Sequence, residues 1–287
     1  MSRVYEALRR SALEEGVTPT ILDPNTFLSS STSDEPVIDE RSTGMAWDEI
    51  KSLLPAVREE SRVVTLTAGN SLGAEKFRLL RARLRNVRER RQLQKLVITS
   101  AVPEEGKTLM AMNLAVCLAK NTKEKVLLLE GDLRKPVLGE YLGIESLNGV
   151  GEWASVDEPV SKFMYRLDDL QLWILPAGAA SENPASTLQS SRFVELYKRL
   201  SASFDWIIID APPLLPTADI SFWSLQADGL LLVVREGKTH KAALQKGLET
   251  LDNPKVIGVV LNDAREVQSS YYSHYYDKGH KHSSETK

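Results

Sequence analysis

The chain holds one cysteine, Cys117, among 287 residues. A lone thiol makes neither an internal disulfide nor a cysteine zinc site, so the sequence predicts a reduced, intracellular protein. It contains no run of about 18 apolar residues, which excludes an ordinary membrane-spanning helix. The opening Met-Ser-Arg-Val-Tyr-Glu-Ala-Leu-Arg-Arg lacks the apolar stretch of a signal peptide. An excess of positive charge is also missing. Lys and Arg total 36 against 39 Asp and Glu, a formal net charge of -3. A protein that coats DNA or RNA normally carries a clear basic surplus, so nucleic acid is excluded as a general partner. No Leu, Ile or Val follows Val267, so 267–287 has little to pack with and is expected to be a mobile tail. No internal repeat is present.

What is there divides into four parts. Residues 1–16 carry a thin helical stripe of Val4, Leu8 and Ala12, which fits either a solvated helix or a docking helix for a partner. Residues 17–62 have linker composition, with an unbroken Ser/Thr run over 29–33 and Pro19, Pro24, Pro36 and Pro55 scattered through. A folded domain is expected over 63–266. It begins with a helix over 74–94, in which Phe77, Leu80, Leu84 and Val87 share one face. Six short apolar runs follow, at 96–98, 126–129, 172–175, 206–209, 229–234 and 256–261. Near-continuous hydrophobicity is what a strand buried on both faces requires. Helical patterns at 109–120 and 191–200 separate some of them. This alternation predicts an α/β fold, a doubly wound, mostly parallel sheet flanked by helices.

Chemistry concentrates where strands end. Between the first apolar run and a helix lies Ile98-Thr-Ser-Ala-Val-Pro-Glu-Glu-Gly-Lys-Thr108, the strand-loop-helix setting of a phosphate-binding P-loop. Ala101 replaces the leading glycine of GxxxxGK[ST]. The logic survives, because backbone N–H groups at a helix N-terminus do the cradling. Lys107 supplies a point charge to the β- and γ-phosphates and the Thr108 hydroxyl suits Mg²⁺. Carboxylates follow two later strands, at Glu130 and Asp132 and at Asp210 in Ile207-Ile-Ile-Asp-Ala-Pro-Pro213. Asp210 has the place of a Walker B aspartate, and ligands of open α/β sheets bind at such strand ends.

With these motifs in hand, the chain resembles the bacterial tyrosine kinases (BY-kinases) that regulate capsule and exopolysaccharide assembly, especially the cytoplasmic CpsD/CapB-like autokinases. They sit within the P-loop MinD/ParA-like superfamily. The resemblance runs from residue 63 onward. It rests on Glu75-Lys-Phe-Arg78-Leu-Leu-Arg81, which fits an ExxRxxR helix, and on the three nucleotide motifs, the middle one reading Glu130-Gly-Asp132-Leu-Arg134 for Asp-x-Asp-x-Arg. Leu175-Pro-Ala-Gly178 with Asn183-Pro184, and the cluster Tyr271-Tyr272-Ser-His-Tyr275-Tyr276, complete it. Half of the chain's eight tyrosines lie in that cluster.

The resemblance implies ATP and Mg²⁺ as cofactors and transfer of the γ-phosphate to Tyr271, Tyr272, Tyr275 and Tyr276 in trans within a ring-like homo-oligomer. Pro103, Glu104, Glu105, Gly106, Lys107, Thr108 and Leu109 would bind the nucleotide. Thr108, Asp132 and Asp210 would hold the metal, and Glu130 takes the position of the catalytic base. Asn262, past the last strand, fits either an adenine contact or an ordinary turn. Glu104 and Glu105 can both point outward while the backbone binds phosphate. Seven arginines lie between Arg78 and Arg91. They read as a solvated face or, with Glu75 of one subunit pairing Arg78 or Arg81 of another, as the ring contact. A separate transmembrane chain-length regulator would activate the kinase at the inner face of the membrane. Two other functions compete: a MinD/ParA-like ATPase switch, whose signature lysine is Val102 here, and a nucleotide-binding scaffold without catalysis. His274, His280 and His282 are read as incidental rather than metal-binding.

Overall fold

The computed structural model describes residues 45, 47–120, 122–144, 147–167, 169–215, 219–251 and 255–264. The expected helix over 1–16, most of the expected linker and the tyrosine tail lie outside the described residues.

The strands are β1 (Lys51–Leu53), β2 (Lys95–Ser100), β3 (Val126–Glu130), β4 (Tyr165–Leu167), β5 (Leu172–Leu175), β6 (Trp206–Asp210), β7 (Gly229–Arg235) and β8 (Val256–Asn262). They form one sheet in the order β1-β4-β5-β3-β6-β2-β7-β8. All neighbours are parallel except β4 and β5. All six apolar runs are strands. Burial on both faces explains their continuous hydrophobicity: Val97, Leu127, Leu129, Ile207 and Ile209 pack into one core. Their neighbours Leu96, Ile98, Val126, Leu128 and Ile208 pack into the other. Each such side chain contributes roughly 1.5–3 kcal/mol by leaving water.

The helices are α1 (Val64–Thr67), α2 (Leu72–Arg90), α3 (Lys107–Ala119), α4 (Leu138–Leu142), α5 (Val150–Ser155), α6 (Pro184–Leu188), α7 (Ser191–Ser203), α8 (Asp219–Gln226) and α9 (Lys241–Glu249). Ser71 caps α2 by accepting from Ala74 N at 3.2 Å, and Leu84 buries its inner face. Helix α3 is apolar nearly all round because it lies between the sheet, α2 and α1. Its buried Asn113 accepts from both the amide and the hydroxyl of Thr65 at 3.0 Å and donates to Arg62 O at 3.2 Å. One side chain thereby ties the segment before α2 to the helix that follows the P-loop.

The linker expectation fails at its C-terminal end. Trp47 sits edge-on to Trp173 and Phe204, with ring centroids 5.4 and 5.6 Å away. Met45 and Ile50 pack on the same core, and β1 extends the sheet beside β4. The folded unit therefore begins before residue 63. One aromatic ring with a ready-made pocket outweighs the polar, proline-bearing sequence around it.

Candidate active site

The topology puts β2 at the centre of the sheet, between β6 and β7. The loop leaving β2 therefore meets the ends of β6, β3 and β7. Ala101 is fully buried, and its carbonyl accepts from Leu215 N at 3.1 Å. Gly106 ends the loop with φ +90° and precedes α3 directly. A Cβ there would come within 2.2 Å of Asn262 Nδ2, so the position demands glycine on two grounds. Pro103 and Glu104 are exposed at the loop's crest. Glu104 adopts φ +64°, the left-handed region that favours glycine.

Lys107 opens α3 and runs under the loop to two carboxylates. Its Nζ lies 3.1 Å from Asp132 Oδ2 and 3.7 Å from Asp210 Oδ1. Burial works to lower the ammonium pKa, but Asp210 and Asp132 outweigh it and the net shift is upward. The lysine stays charged. Asp210 is fully buried, and its carboxylate has Lys107 at ion-pair distance and the Thr108 hydroxyl close by, with no hydrogen bond of good geometry to either oxygen. Burial pushes its pKa up against the pull of Lys107. Thr108 is buried beside it on the first turn of α3. Gly131 N donates to Asp210 O at 2.8 Å, which locks the ends of β3 and β6 together. Gly131 also leaves room for Trp223, whose Nε1–H donates to Gly131 O at 3.0 Å.

Glu130 is placed differently from its expected role as base. Its Oε1 accepts from Val137 N at 2.6 Å and Leu138 N at 2.8 Å, and its Oε2 from Ala177 N at 2.9 Å. Burial raises its pKa while these three amides oppose the rise. The carboxylate thus pins the start of α4 and the segment after β5, with three of its about four acceptor positions taken by backbone amides. The extra methylene relative to aspartate is what lets it reach all three. Asp132 is the remaining acid: Oδ1 accepts from Lys135 N at 3.2 Å and Oδ2 faces Lys107. Arg134 Nε donates to Asp219 Oδ2 at 2.6 Å, so Asp219 serves this arginine at the start of α8.

Glu105 also departs from expectation. It turns inward, only 2% exposed, and accepts from Val102 N at 3.1 Å and from the Thr239 hydroxyl. Asn262 lines the cavity beside the loop, but its amide is engaged: Nδ2 donates to Glu105 O and Oδ1 accepts from Asp263 N, both at 2.9 Å. The cavity measures about 690 Å³. Gly106, Leu109 and Asn262 form one wall, and Arg58, Arg62 and Tyr141 line it too. Sequence reasoning missed those last three, because two lie in the supposed linker and Tyr141 carries no motif.

The ExxRxxR residues are satisfied within the chain. Arg78 Nε donates to Glu75 Oε2 at 2.6 Å and its Nη1 to Gly69 O at 2.8 Å. Arg81 Nη1 donates to Cys117 O at 2.8 Å, capping the carboxyl end of α3. Arg85 and Arg88 both pair with Glu124, and Arg88 covers the Trp206 ring at 4.7 Å. Arg78, Arg81, Arg85 and Arg88 thus all have acceptors within the chain.

The donor set fits a magnesium-bound polyphosphate. Asp210 offers a buried carboxylate shared only with Lys107 and Thr108, Thr108 a hydroxyl and the loop its amides. Among the described residues no group of three or more His, Cys, Asp or Glu could hold a metal alone. Mg²⁺ takes one or two carboxylates and completes its shell with phosphate and water.

Loop, lysine and paired aspartates at the strand ends of a parallel sheet define a P-loop phosphate-binding enzyme fold. No family model matches the chain. It is 33% identical over 220 residues to the tyrosine-protein kinase YwqD of Bacillus subtilis (strain 168), covering 76% of this chain and 92% of that one. It is 31% identical over 230 residues to the succinoglycan biosynthesis transport protein ExoP of Rhizobium meliloti (strain 1021), covering 75% of this chain and 28% of that one. Among solved structures, the chimerical protein CapA2B2 matches with a TM-score of 0.66 at 26% identity, over 79% of this chain and 98% of that one. The kinase domain of VpsO matches with a TM-score of 0.56 at 29% identity, over 68% and 100%. The chain belongs to the bacterial tyrosine-protein kinases.

Proposed function

We propose that the chain is an Mg-ATP-dependent tyrosine autokinase whose acceptors are Tyr271, Tyr272, Tyr275 and Tyr276. The observation that carries this is Lys107 held between Asp132 and Asp210 directly beneath the loop. Phosphoryl transfer needs positioning and charge neutralisation more than covalent help. Lys107 meets the β- and γ-oxygens, and the loop amides hold the phosphates in line. Thr108 and Asp210, with Asp132 directly or through water, would hold Mg²⁺, which would neutralise charge developing on the β–γ bridge. The cavity beside Leu109 takes the base and ribose. Its wall mixes three arginines with four carboxylates, which suits hydroxyls and ring nitrogens better than a polyanion.

The attacking phenol has an ordinary pKa near 10. Asp132 accepts its proton as the phenol oxygen bonds to the γ-phosphorus and the bond to the ADP oxygen breaks. Glu130, already committed to three backbone amides, has a structural role in this reading. Transfer runs in trans between copies of this chain. The setting is capsule or exopolysaccharide synthesis, at the membrane through a transmembrane chain-length regulator. The succinoglycan name of one relative supports that setting. No helix among the described residues is long and apolar enough to cross a membrane.

The test is a mixing experiment. A Lys107→Met chain and a chain with the four tail tyrosines changed to Phe are incubated with Mg-ATP, apart and together. Phosphate on the tail of the Lys107→Met chain only in the mixture is the expected result. Phosphate on neither, with ATP binding intact, would favour a scaffold or an ATPase switch.

A further inference from the structure

A glutamate in a loop built for polyphosphate is a liability, since its charge repels the ligand. Glu105 is neutralised as a threat by where it points. Its carboxylate is 2% exposed and lies on the side of the loop that faces the turn between β7 and α9. There the Thr239 hydroxyl donates to Oε1 and Val102 N donates to Oε2 at 3.1 Å. The same Thr239 oxygen accepts from Arg235 N at 2.8 Å, so both capacities of the hydroxyl are used. Arg235 Nη1 reaches Glu104 O at 3.5 Å, and its other nitrogens hold Asp263 Oδ2 at 2.9 and 3.0 Å. Asn262 Nδ2 donates to Glu105 O at 2.9 Å. Apart from Val102 N, which belongs to the loop itself, these ties come from the ends of β7 and β8 or the turn after β7.

We propose that Thr239 and Glu105 are positioning residues, a latch that fixes the phosphate-binding loop in its ligand-ready shape and keeps the Glu105 carboxylate away from the nucleotide phosphates. The inference rests on the P-loop reading above. A loop shaped in advance binds without first losing its own conformational freedom. Without the Thr239 hydroxyl, Glu105 loses a partner and its charge is released toward the ligand.

The experiment measures binding of ATP and ADP by direct titration, together with the unfolding midpoint without nucleotide. Losing a hydrogen bond to a buried carboxylate corresponds to about a tenfold change in binding. Thr239→Val is expected to weaken ATP and ADP by about tenfold and, because Arg235 N also loses its acceptor, to lower the nucleotide-free midpoint by a few degrees, while Thr239→Ser keeps the native values of both. Thr239→Val combined with Glu105→Ala should bind better than the product of the two single losses predicts, because the released charge is gone. Glu105→Gln, which keeps an acceptor for Val102 N, should bind better than Glu105→Ala, and this pair carries the test should Thr239→Val not fold. Native affinity in Thr239→Val overturns the proposal. So does an equal loss in Thr239→Ser, which would mean that packing and not the hydroxyl matters. Failure of the native chain to bind ATP, or binding undiminished by Lys107→Met, would instead overturn the P-loop reading itself.

Discussion

Asp210 carries a contradiction between stability and chemistry. Its carboxylate is fully buried, and the burial raises its pKa against the pull of Lys107 and Thr108. A group with a raised folded pKa binds more protons folded than unfolded, so stability falls as pH rises through its titration above the ordinary carboxylate range. Lys107 keeps Asp132 as its closer partner, so Asp210→Asn removes the cost of burying a second carboxylate; it is expected to raise the unfolding midpoint of the nucleotide-free protein by about 2–4 °C and to abolish kinase activity. A lower midpoint would mean that attraction to Lys107 outweighs the cost of burying the carboxylate. Glu130 and Asp132 separate in the opposite way. Glu130→Gln leaves a buried amide without its acceptor and should lower the midpoint, yet keep activity within about tenfold where the protein is folded. Asp132→Asn should reduce activity by about 10²–10⁴ with little loss of stability. The reverse ranking would return the base to Glu130. Glu104→Gly removes a left-handed non-glycine residue and a charge from the loop crest. It should stabilise the chain by about 1 kcal/mol and tighten ATP, read by denaturant unfolding and titration.

At the scale of elements, α2 supports α3 before it can support a neighbour. Arg81 caps the last carbonyls of α3 and Asn113 ties α3 to the segment before α1. Arg81→Ala should therefore destabilise the chain by about 1 kcal/mol at any protein concentration. An effect seen only at concentrations where the protein associates would assign Arg81 to a subunit contact alone. The sequence made the inner elements legible for a physical reason. Strands β2, β3 and β6 are covered on both faces, and only aliphatic runs tolerate that. Strands β1 and β4 escaped because they are three residues long, at or beside the sheet edge, with alternating or exposed positions. Trp47 escaped because its partners Trp173 and Phe204 come from distant segments. In the site, Gly106, Lys107, Thr108 and Asp210 were legible because each must be that residue type. The inward turn of Glu105 and the amide contacts of Glu130 were not. Their partners are backbone amides and a threonine hydroxyl, which the topology gathers and no spacing announces.

At the scale of the whole molecule, the boundary and the reaction are linked. The segment 56–62 walls the nucleotide cavity, so a chain beginning at residue 63 should lose ATP affinity as well as the packing of Trp47 and β1. Phosphorylating four neighbouring tyrosines adds about -1.5 to -2 charges each, and repulsion of that size should dissociate an oligomer that the unmodified tails permit. An unchanged mass in solution before and after phosphorylation would remove that cycle. The central claim is that Lys107 and its paired aspartates move phosphate from ATP to the tail. Intact and peptide masses of the native chain beside Lys107→Met, after incubation with Mg-ATP, test it most directly. Phosphate is expected on Tyr271, Tyr272, Tyr275 or Tyr276 in the native chain and none in Lys107→Met. Equal phosphate in both, or phosphate confined to residues outside the tail, would contradict it.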